Sequence, residues 1–244
     1  MTETTARQQR FTGHRVVVTG AAGGVGSQVV ALFGAEGARV VGVDVVPGDG
    51  IVQGDLADAA SVTSVVEQAL AELGGVDVLC NVAGIQTFAR LEELTPDQLR
   101  RHLDVNVVGP VLLTQGLLPA LTESRGNVVT VASISALMGQ PYNTAYCASK
   151  AGVLLAMRAL AVELAGRGIR VNCVSPGGID TPMIEGAAHS LPADVDWTLI
   201  AKSQSVIPGF MPPADVAEAI LFLASGAASS ITGANLVVDR GVVW

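Results

Sequence analysis

Short runs rich in β-branched residues recur along the chain: Val16-Val17-Val18 within 14–19, Val40-Val41-Gly42-Val43 before Asp44, 76–80, 127–131 and 168–174. A half-buried strand alternates apolar and polar positions. A run that is apolar nearly throughout belongs to a strand covered on both faces, the habit of parallel sheets sandwiched between helices. Helix-length segments separate these runs. One leads from a glycine turn at 20–26 through Phe33, and another spans Asp58 to Leu73. A long one is opened by Thr95-Pro96-Asp97, with proline in its first turn. Tyr146 to Leu164 carries Leu154, Leu155, Leu160 and Leu164, and Asp215 to Ala224 follows. A third short strand falls at 50–53 and a last one at 234–238.

This repeated βα order, with no break in composition, predicts an α/β fold: one doubly wound parallel sheet with right-handed crossovers and helices on both faces. The domain is expected over 13–244, behind a loosely held tail at 1–12. Pro110, inside the long helix, should bend it and free backbone groups near Asn106, itself in need of a partner if buried. Residues 183–213, with several prolines and glycines around one short helix near Trp197, read as a substrate lid.

Charge and cysteines narrow the function classes. With 14 Lys+Arg against 22 Asp+Glu the net charge is −8, and no basic cluster occurs, so neither nucleic acid nor an anionic membrane is an expected partner. Cys80, Cys147 and Cys173 are odd in number and lie in apolar contexts, as reduced thiols of a cytoplasmic protein do; no metal-ligand spacing appears. The start, MTETTARQQR, has no apolar core and so does not read as a signal peptide. Arg158 and Glu163 interrupt the best apolar helix, and no membrane span is expected.

Strand, glycine turn and helix in that order form a phosphate cradle. Gly20, Gly24, Val25 and Gly26 in TGAAGGVG let the backbone approach a pyrophosphate at a helix N-terminus. Asp44 ends the second strand 18 residues after Gly26. A carboxylate there accepts from the adenosine ribose hydroxyls and repels a 2′-phosphate, while Val45 and Gly23 supply no cation, so NAD is favoured over NADP. Asp55-Leu56 is a weaker candidate for the adenine edge. Asn81-Val82-Ala83-Gly84 ends a strand in small residues, and Ser175-Pro176-Gly177-Gly178-Ile179-Asp180-Thr181-Pro182 ends another, where α/β sheets bind ligands.

Tyr146 and Lys150 stand four apart on one helix face, and Ser133 lies just past a strand end. That set suits proton transfer to an alcohol oxygen. Burial alone raises a phenol's pKa. An ammonium about 5 Å away contributes roughly 3 kcal/mol in the other direction at an effective dielectric of about 20, so the cation is expected to prevail and make Tyr146 a general acid/base.

With TGAAGGVG, NVAG, Asn106, Ser133, YCASK and SPGGIDTP in order, the sequence resembles the short-chain dehydrogenase/reductase family from about Phe11 to Gly241. The resemblance implies a Rossmann-type fold, a nicotinamide cofactor, a homotetramer, and an Asn106–Ser133–Tyr146–Lys150 tetrad. In that tetrad Ser133 holds the substrate oxygen, Lys150 binds the ribose, and Asn106 positions a water. The expected cofactor contacts are Gly20, Gly24, Val25, Gly26, Asp44, Asp55, Leu56, Asn81, Ala83, Gly84, Tyr146, Lys150, Pro176, Gly177, Ile179 and Thr181. Those to substrate are Ser133, Ser135, Gln140, Tyr142, Tyr146 and Met183, with Ile85, Gln86, Ile184 and Trp197 nearby. The family's NNAG reads NVAG here, the basic residue near 208–211 is absent, and the terminal DGG reads Asp239-Arg240-Gly241. The expected activity is NAD(H)-dependent interconversion of a secondary alcohol and a ketone. The alternatives are an NADPH-linked reductase of 3-oxoacyl thioesters and a non-catalytic dinucleotide sensor.

Overall fold

In the computed structural model, which describes residues 9–201 and 204–243, seven parallel strands form one sheet in the order β3-β2-β1-β4-β5-β6-β7. They are β1 (Arg15–Thr19), β2 (Arg39–Asp44), β3 (Ile51–Gln53), β4 (Val78–Asn81), β5 (Asn127–Val131), β6 (Arg170–Pro176) and β7 (Asn235–Val238). The order reverses beside β1, between β2 and β4, so the C-terminal ends of β1 and β4 diverge there into a crevice. Helices α1 (Gly24–Ala35) and α8 (Pro213–Ala224) cover one face. The other carries α2 (Ala59–Leu73), α4 (Gly109–Ser124) and α5 (Thr144–Leu164). Val17, Leu79 and Val128 point to the second face, and Val16, Val18, Val78 and Cys80 to the first. Both sets are buried, as strands without alternation require.

Four expectations need correction. Residues 9–12 are not a loose tail: Phe11 is 0% exposed and packs edge-on against Phe33 at 4.6 Å, while Arg10 pairs with the buried Glu36. The polar flanks of Phe11 hide it from a pattern reading; residues 1–8 lie outside the described part. Second, the irregularity before Pro110 is a π-helical turn rather than a plain bend. Between α3 (Pro96–Leu103) and α4 lies a π-helical turn, Asp104–Val108, closed by Gly109 N–H donating to Asp104 O. Pro110 follows that turn inside one continuous helical stretch, and its missing N–H takes the i→i−4 partner from Asn106 O.

Third, the segment 183–213 holds two short helices rather than one, α6 (Pro182–Ala188) and α7 (Trp197–Ile200). Fourth, two continuous helical stretches, Pro96–Ser124 and Thr144–Arg167, do pass for membrane spans by length and composition. Their apolar sides, Leu113, Leu117 and Leu121 on one and Val153, Leu154 and Met157 on the other, are buried on the sheet.

Candidate active site

One cavity of about 760 Å³ runs along the C-terminal ends of the strands, from β3 to β6. Its floor is the β1–α1 turn. Gly20 has φ +71°, and a Cβ on it would come 2.9 Å from the Ala83 backbone. A Cβ on Gly26 would stand 1.9 Å from Gly20 O. The glycines are thus fixed by backbone against backbone. Thr19 Oγ1 ties the two walls, accepting from Val82 N–H at 3.0 Å and Ala83 N–H at 3.1 Å. Val82 takes the place of the family's second asparagine and packs into the core. Gly20, Gly24, Val25, Gly26, Asp44, Asp55, Leu56, Ala83, Gly84, Pro176, Gly177, Ile179 and Thr181 all line the cavity. Asp44 is held by Ala22 N–H and Val46 N–H, each donating to one carboxylate oxygen at 3.0 Å.

This shape fits a dinucleotide. The turn leaves free N–H groups at the start of α1, the cleft is long, and the Gly84 Cα faces the Lys150 ammonium, with a Cβ there 3.3 Å from Nζ. Asn81 is an exception among the expected contacts. It is buried and does not reach the cavity; its Nδ2 donates across the β4–β5 ladder to Thr130 Oγ1 at 3.2 Å. A strand-end side chain must choose one face of the sheet, and this one faces its ladder partner.

Tyr146, Lys150 and Ser133 line the middle of the cavity together. Ser133 follows β5 and caps a 3₁₀ turn at Ile134–Ala136, its Oγ accepting from Ser135 N–H at 3.1 Å. Ser135 Oγ in turn donates to Gln140 Oε1 at 2.6 Å, and Asn143 Nδ2 donates to the same oxygen at 3.0 Å. Lys150 Nζ donates to Val131 O at 2.8 Å and stands 5.7 Å from the centre of the Tyr146 ring.

The electrostatics differ from the sequence reading. Burial pushes the Tyr146 phenol up to about 12, and the hydrogen bond with Ser133 offsets only part of that. Burial also pulls the Lys150 ammonium down to about 8. In the protein alone burial outweighs the opposing effects on the phenol, and the ammonium's own charge is desolvated.

Asn106 also takes a different part from the expected one. Its Oδ1 accepts from Ile85 N–H at 2.9 Å, while Nδ2 donates to Ile85 O at 3.0 Å and Ser149 Oγ at 2.9 Å. Both amide protons are engaged by protein, so this side chain clamps the 84–86 segment to α5. It lies outside the cavity lining.

At the substrate end Ser135, Gln140, Met183, Ile85, Gln86, Ile184 and Trp197 line the wall as expected. Tyr142 does not. Its φ is +63°, rare for an aromatic residue, and its hydroxyl accepts from Asp196 N–H at 3.1 Å. Arg90 lies over its ring at 5.5 Å and pairs with Asp194 at 2.7 Å. Phe88 N–H donates to Ser190 Oγ at 2.8 Å. Tyr142 therefore ties down the 190–196 segment.

The reading missed Phe88, Arg101, Val105, Pro141, Ala188, Leu191, Ile200 and Phe210, all in the lining; only the α3 register, for Arg101 and Val105, held a signal. Two departures from the family pattern meet in space. Arg240 Nη1 donates to Pro208 O at 3.2 Å and Gly209 O at 3.3 Å, so the arginine of the C-terminal corner anchors the segment that lacks its own basic residue.

A family model described as Enoyl-(Acyl carrier protein) reductase matches residues 20–243. Cis-4-hydroxycyclohexanecarboxylate dehydrogenase of Sinomonas cyclohexanicum is 39% identical over 96% of this chain and 98% of its own. Among solved structures, a short chain dehydrogenase from Burkholderia cenocepacia in complex with NADP is 30% identical, with a TM-score of 0.84 over 96% of this chain and 99% of that one. The 3-ketoacyl-(acyl-carrier-protein) reductase from Brucella melitensis complexed with NADH is 33% identical, with a TM-score of 0.83 over 94% and 98%.

Proposed function

The chain belongs to the short-chain dehydrogenase/reductase family, and from that premise we propose that it is an NAD(H)-dependent oxidoreductase interconverting a secondary alcohol and a ketone. The carrying observation is that Tyr146, Ser133 and Lys150 line the same cavity as the glycine turn and Asp44. The ribose-side residues would be Asp44, Lys150 and Gly84, the pyrophosphate-side ones Gly20, Gly24 and Gly26, and the nicotinamide-side ones Ile179 and Thr181. The bound nicotinamide supplies the hydride acceptor or donor.

The protein's own groups handle the proton. With its pKa raised, Tyr146 holds its proton at neutral pH and is ready to donate it to a ketone oxygen. Ser133 Oγ accepts from Ser135 N–H and donates to Ser135 Oγ at 3.1 Å, and would turn that hydroxyl to the same oxygen when substrate binds. In the oxidative direction Tyr146 must be a phenolate. The Lys150 ammonium, together with the positive charge of oxidised nicotinamide, then stabilises the anion that burial opposes. The apolar lid residues Met183, Ile184, Leu191 and Phe210 exclude water. They favour a mostly apolar alicyclic or aliphatic substrate with one or two polar groups facing Gln86, Ser135 or Gln140.

Asp44 favours NAD. Arg101 and Lys150 are the only cations in the lining among the described residues, and Arg101 is engaged by Asp55. A second reading, an acyl-thioester reductase, draws on the family model's description and the Brucella neighbour. We read the protein as a cytoplasmic homotetramer without nucleic-acid or membrane partners. The outer side of α5 is exposed and apolar at Leu155 and Val162, as a subunit contact would be. The deciding experiment measures NADH and NADPH affinity side by side, then screens alcohols, diols, hydroxysteroids and hydroxyacyl thioesters for NAD-linked turnover. Tighter NADPH binding with turnover of thioesters alone would replace the first reading by the second.

A further inference from the structure

Between β4 and α3 the chain at 82–90 forms neither helix nor strand. Ile85, Gln86 and Phe88 on it line the substrate end of the cavity, yet its amides bond one at a time to other segments. Ile85 N–H donates to Asn106 Oδ1 and Ala89 N–H to Tyr142 O at 2.8 Å. Phe88 N–H donates to Ser190 Oγ, in the lid, at 2.8 Å. Thr87 N–H donates to His102 Nε2 at 3.2 Å. His102 is the one buried residue of α3, with 1% exposure.

The two ring nitrogens of His102 have opposite duties. Nδ1 lies 2.8 Å from Gln98 O. A carbonyl only accepts, so the ring proton sits on Nδ1 and Nε2 keeps a lone pair for Thr87 N–H. A leucine of similar bulk would fill the same hole and leave that N–H without its acceptor. His102 and Asn106 thus hold the segment at alternate residues, Thr87 and Ile85, with Gln86 between them. The next amide after Thr87 is the one that carries the lid.

We propose that His102 is a positioning residue for the substrate side of the cavity: through Nε2 it fixes the 85–88 segment and so seats the lid upon it at Ser190. The proposal rests on the reading of 183–213 as the wall that covers the substrate. His102 touches no reacting atom and lies outside the cavity lining. Its effect is on how far the wall is organised before substrate arrives, because a segment released at Thr87 would carry Phe88 and Ser190 with it.

The test is hydrogen–deuterium exchange on the full chain without ligand, read by mass spectrometry. In His102→Leu, exchange of peptides spanning 85–90 and 187–196 should quicken by about fivefold or more, while that of β5 and β6 holds. Glutamine places Oε1 as many bonds from Cα as histidine places Nε2, and asparagine reproduces Nδ1 instead. His102→Gln should therefore bring both peptides back to within about twofold of wild type, and His102→Asn should leave them fast. The two amide variants keep the answer readable if the leucine variant folds poorly. With cyclohexanone and NADH as probes, KM for the ketone should rise by about fivefold or more in His102→Leu and return in His102→Gln, while NADH affinity by fluorescence titration stays put. Three results overturn the proposal and leave the oxidoreductase reading standing: unchanged exchange in His102→Leu, asparagine restoring protection as well as glutamine does, or a rise spread over β5 and β6. A wild type that turns over neither cyclohexanone nor any alcohol of the screen removes the oxidoreductase reading, and the exchange series still decides the role of His102.

Discussion

The glycine cradle and the lid face each other across one cavity and are held by different means. In the cradle the fit is backbone to backbone: Gly20 against Ala83, Gly26 against Gly20, Thr19 bridging two N–H groups of the opposite strand. In the lid, backbone bonds reach the body at Val206, Ile207 and Met211, while side chains fasten the stretch before them: Tyr142 on Asp196, Arg90 on Asp194, Ser190 on Phe88, with Arg240 holding Pro208 and Gly209. Trp197, Val206, Ile207 and Phe210 remain exposed there. A wall built of main chain tolerates almost no change in shape. A wall fastened by side chains can be altered one residue at a time, which suits a common cofactor on one side and a particular substrate on the other.

Substitutions at the centre and on each wall sharpen that contrast. The largest effect is expected between the walls: Tyr146→Phe should lower turnover by about a thousandfold or more while NADH titration gives an unchanged affinity. Retained turnover would remove the proposed proton donor. Activity should also separate by direction with pH. Because the phenol sits near 12 in the protein alone, alcohol oxidation, which needs the phenolate, should accelerate as pH rises from neutrality to about 8, where Lys150 begins to lose its charge, and ketone reduction should slow; parallel profiles would contradict this.

Next comes the cradle. Gly26→Ala would drive a methyl into Gly20 O, and the expected outcome is at least a tenfold loss of NADH affinity with a lowered melting temperature. In Lys150→Met the two observables should part: turnover falls at least a hundredfold while stability near neutral pH rises by roughly 1–3 kcal/mol, the scale of the shift from 10.5 to about 8. The unfolded state keeps its proton between those two values and the folded state does not, so wild-type stability climbs with pH from about 8 to 10.5. The advantage of the variant should shrink over that window in thermal melts. The smallest effects belong to the lid. Arg90→Ala should raise KM two- to fivefold and speed proteolytic nicking near 190–196, with kcat little altered. Gly186→Ala, whose Cβ would meet nothing within 4 Å, should leave all of these within error.

Legibility from sequence followed the same divide. The strands, the glycine turn, Asp44 and the Tyr146–Lys150 pair are local patterns with fixed spacing, and the structure brings them together. What went unread depends on contacts between distant segments. Phe11 is core because Phe33 lies beside it, and nothing in its polar neighbours says so. Tyr142 points away because its backbone is left-handed, a conformation that composition does not reveal. The phenol's pKa was misjudged because the depth of its burial, set by tertiary packing, cannot be had from spacing. Arg101 lies five residues before Asn106 and meets Asp55 only through tertiary folding.

The π turn at Asp104–Val108 works as a phase shifter. A regular helix advances about 100° per residue, and the turn's one extra residue sets α3 at a different rotation from α4. Arg101 can therefore look into the cleft while Leu113, Leu117 and Leu121, continuing the same rod, stay against the sheet. Deleting a single residue from that turn would leave the helix unbroken in length and composition. It would swing the whole α3 face, Arg101 included, about a quarter-turn off its target.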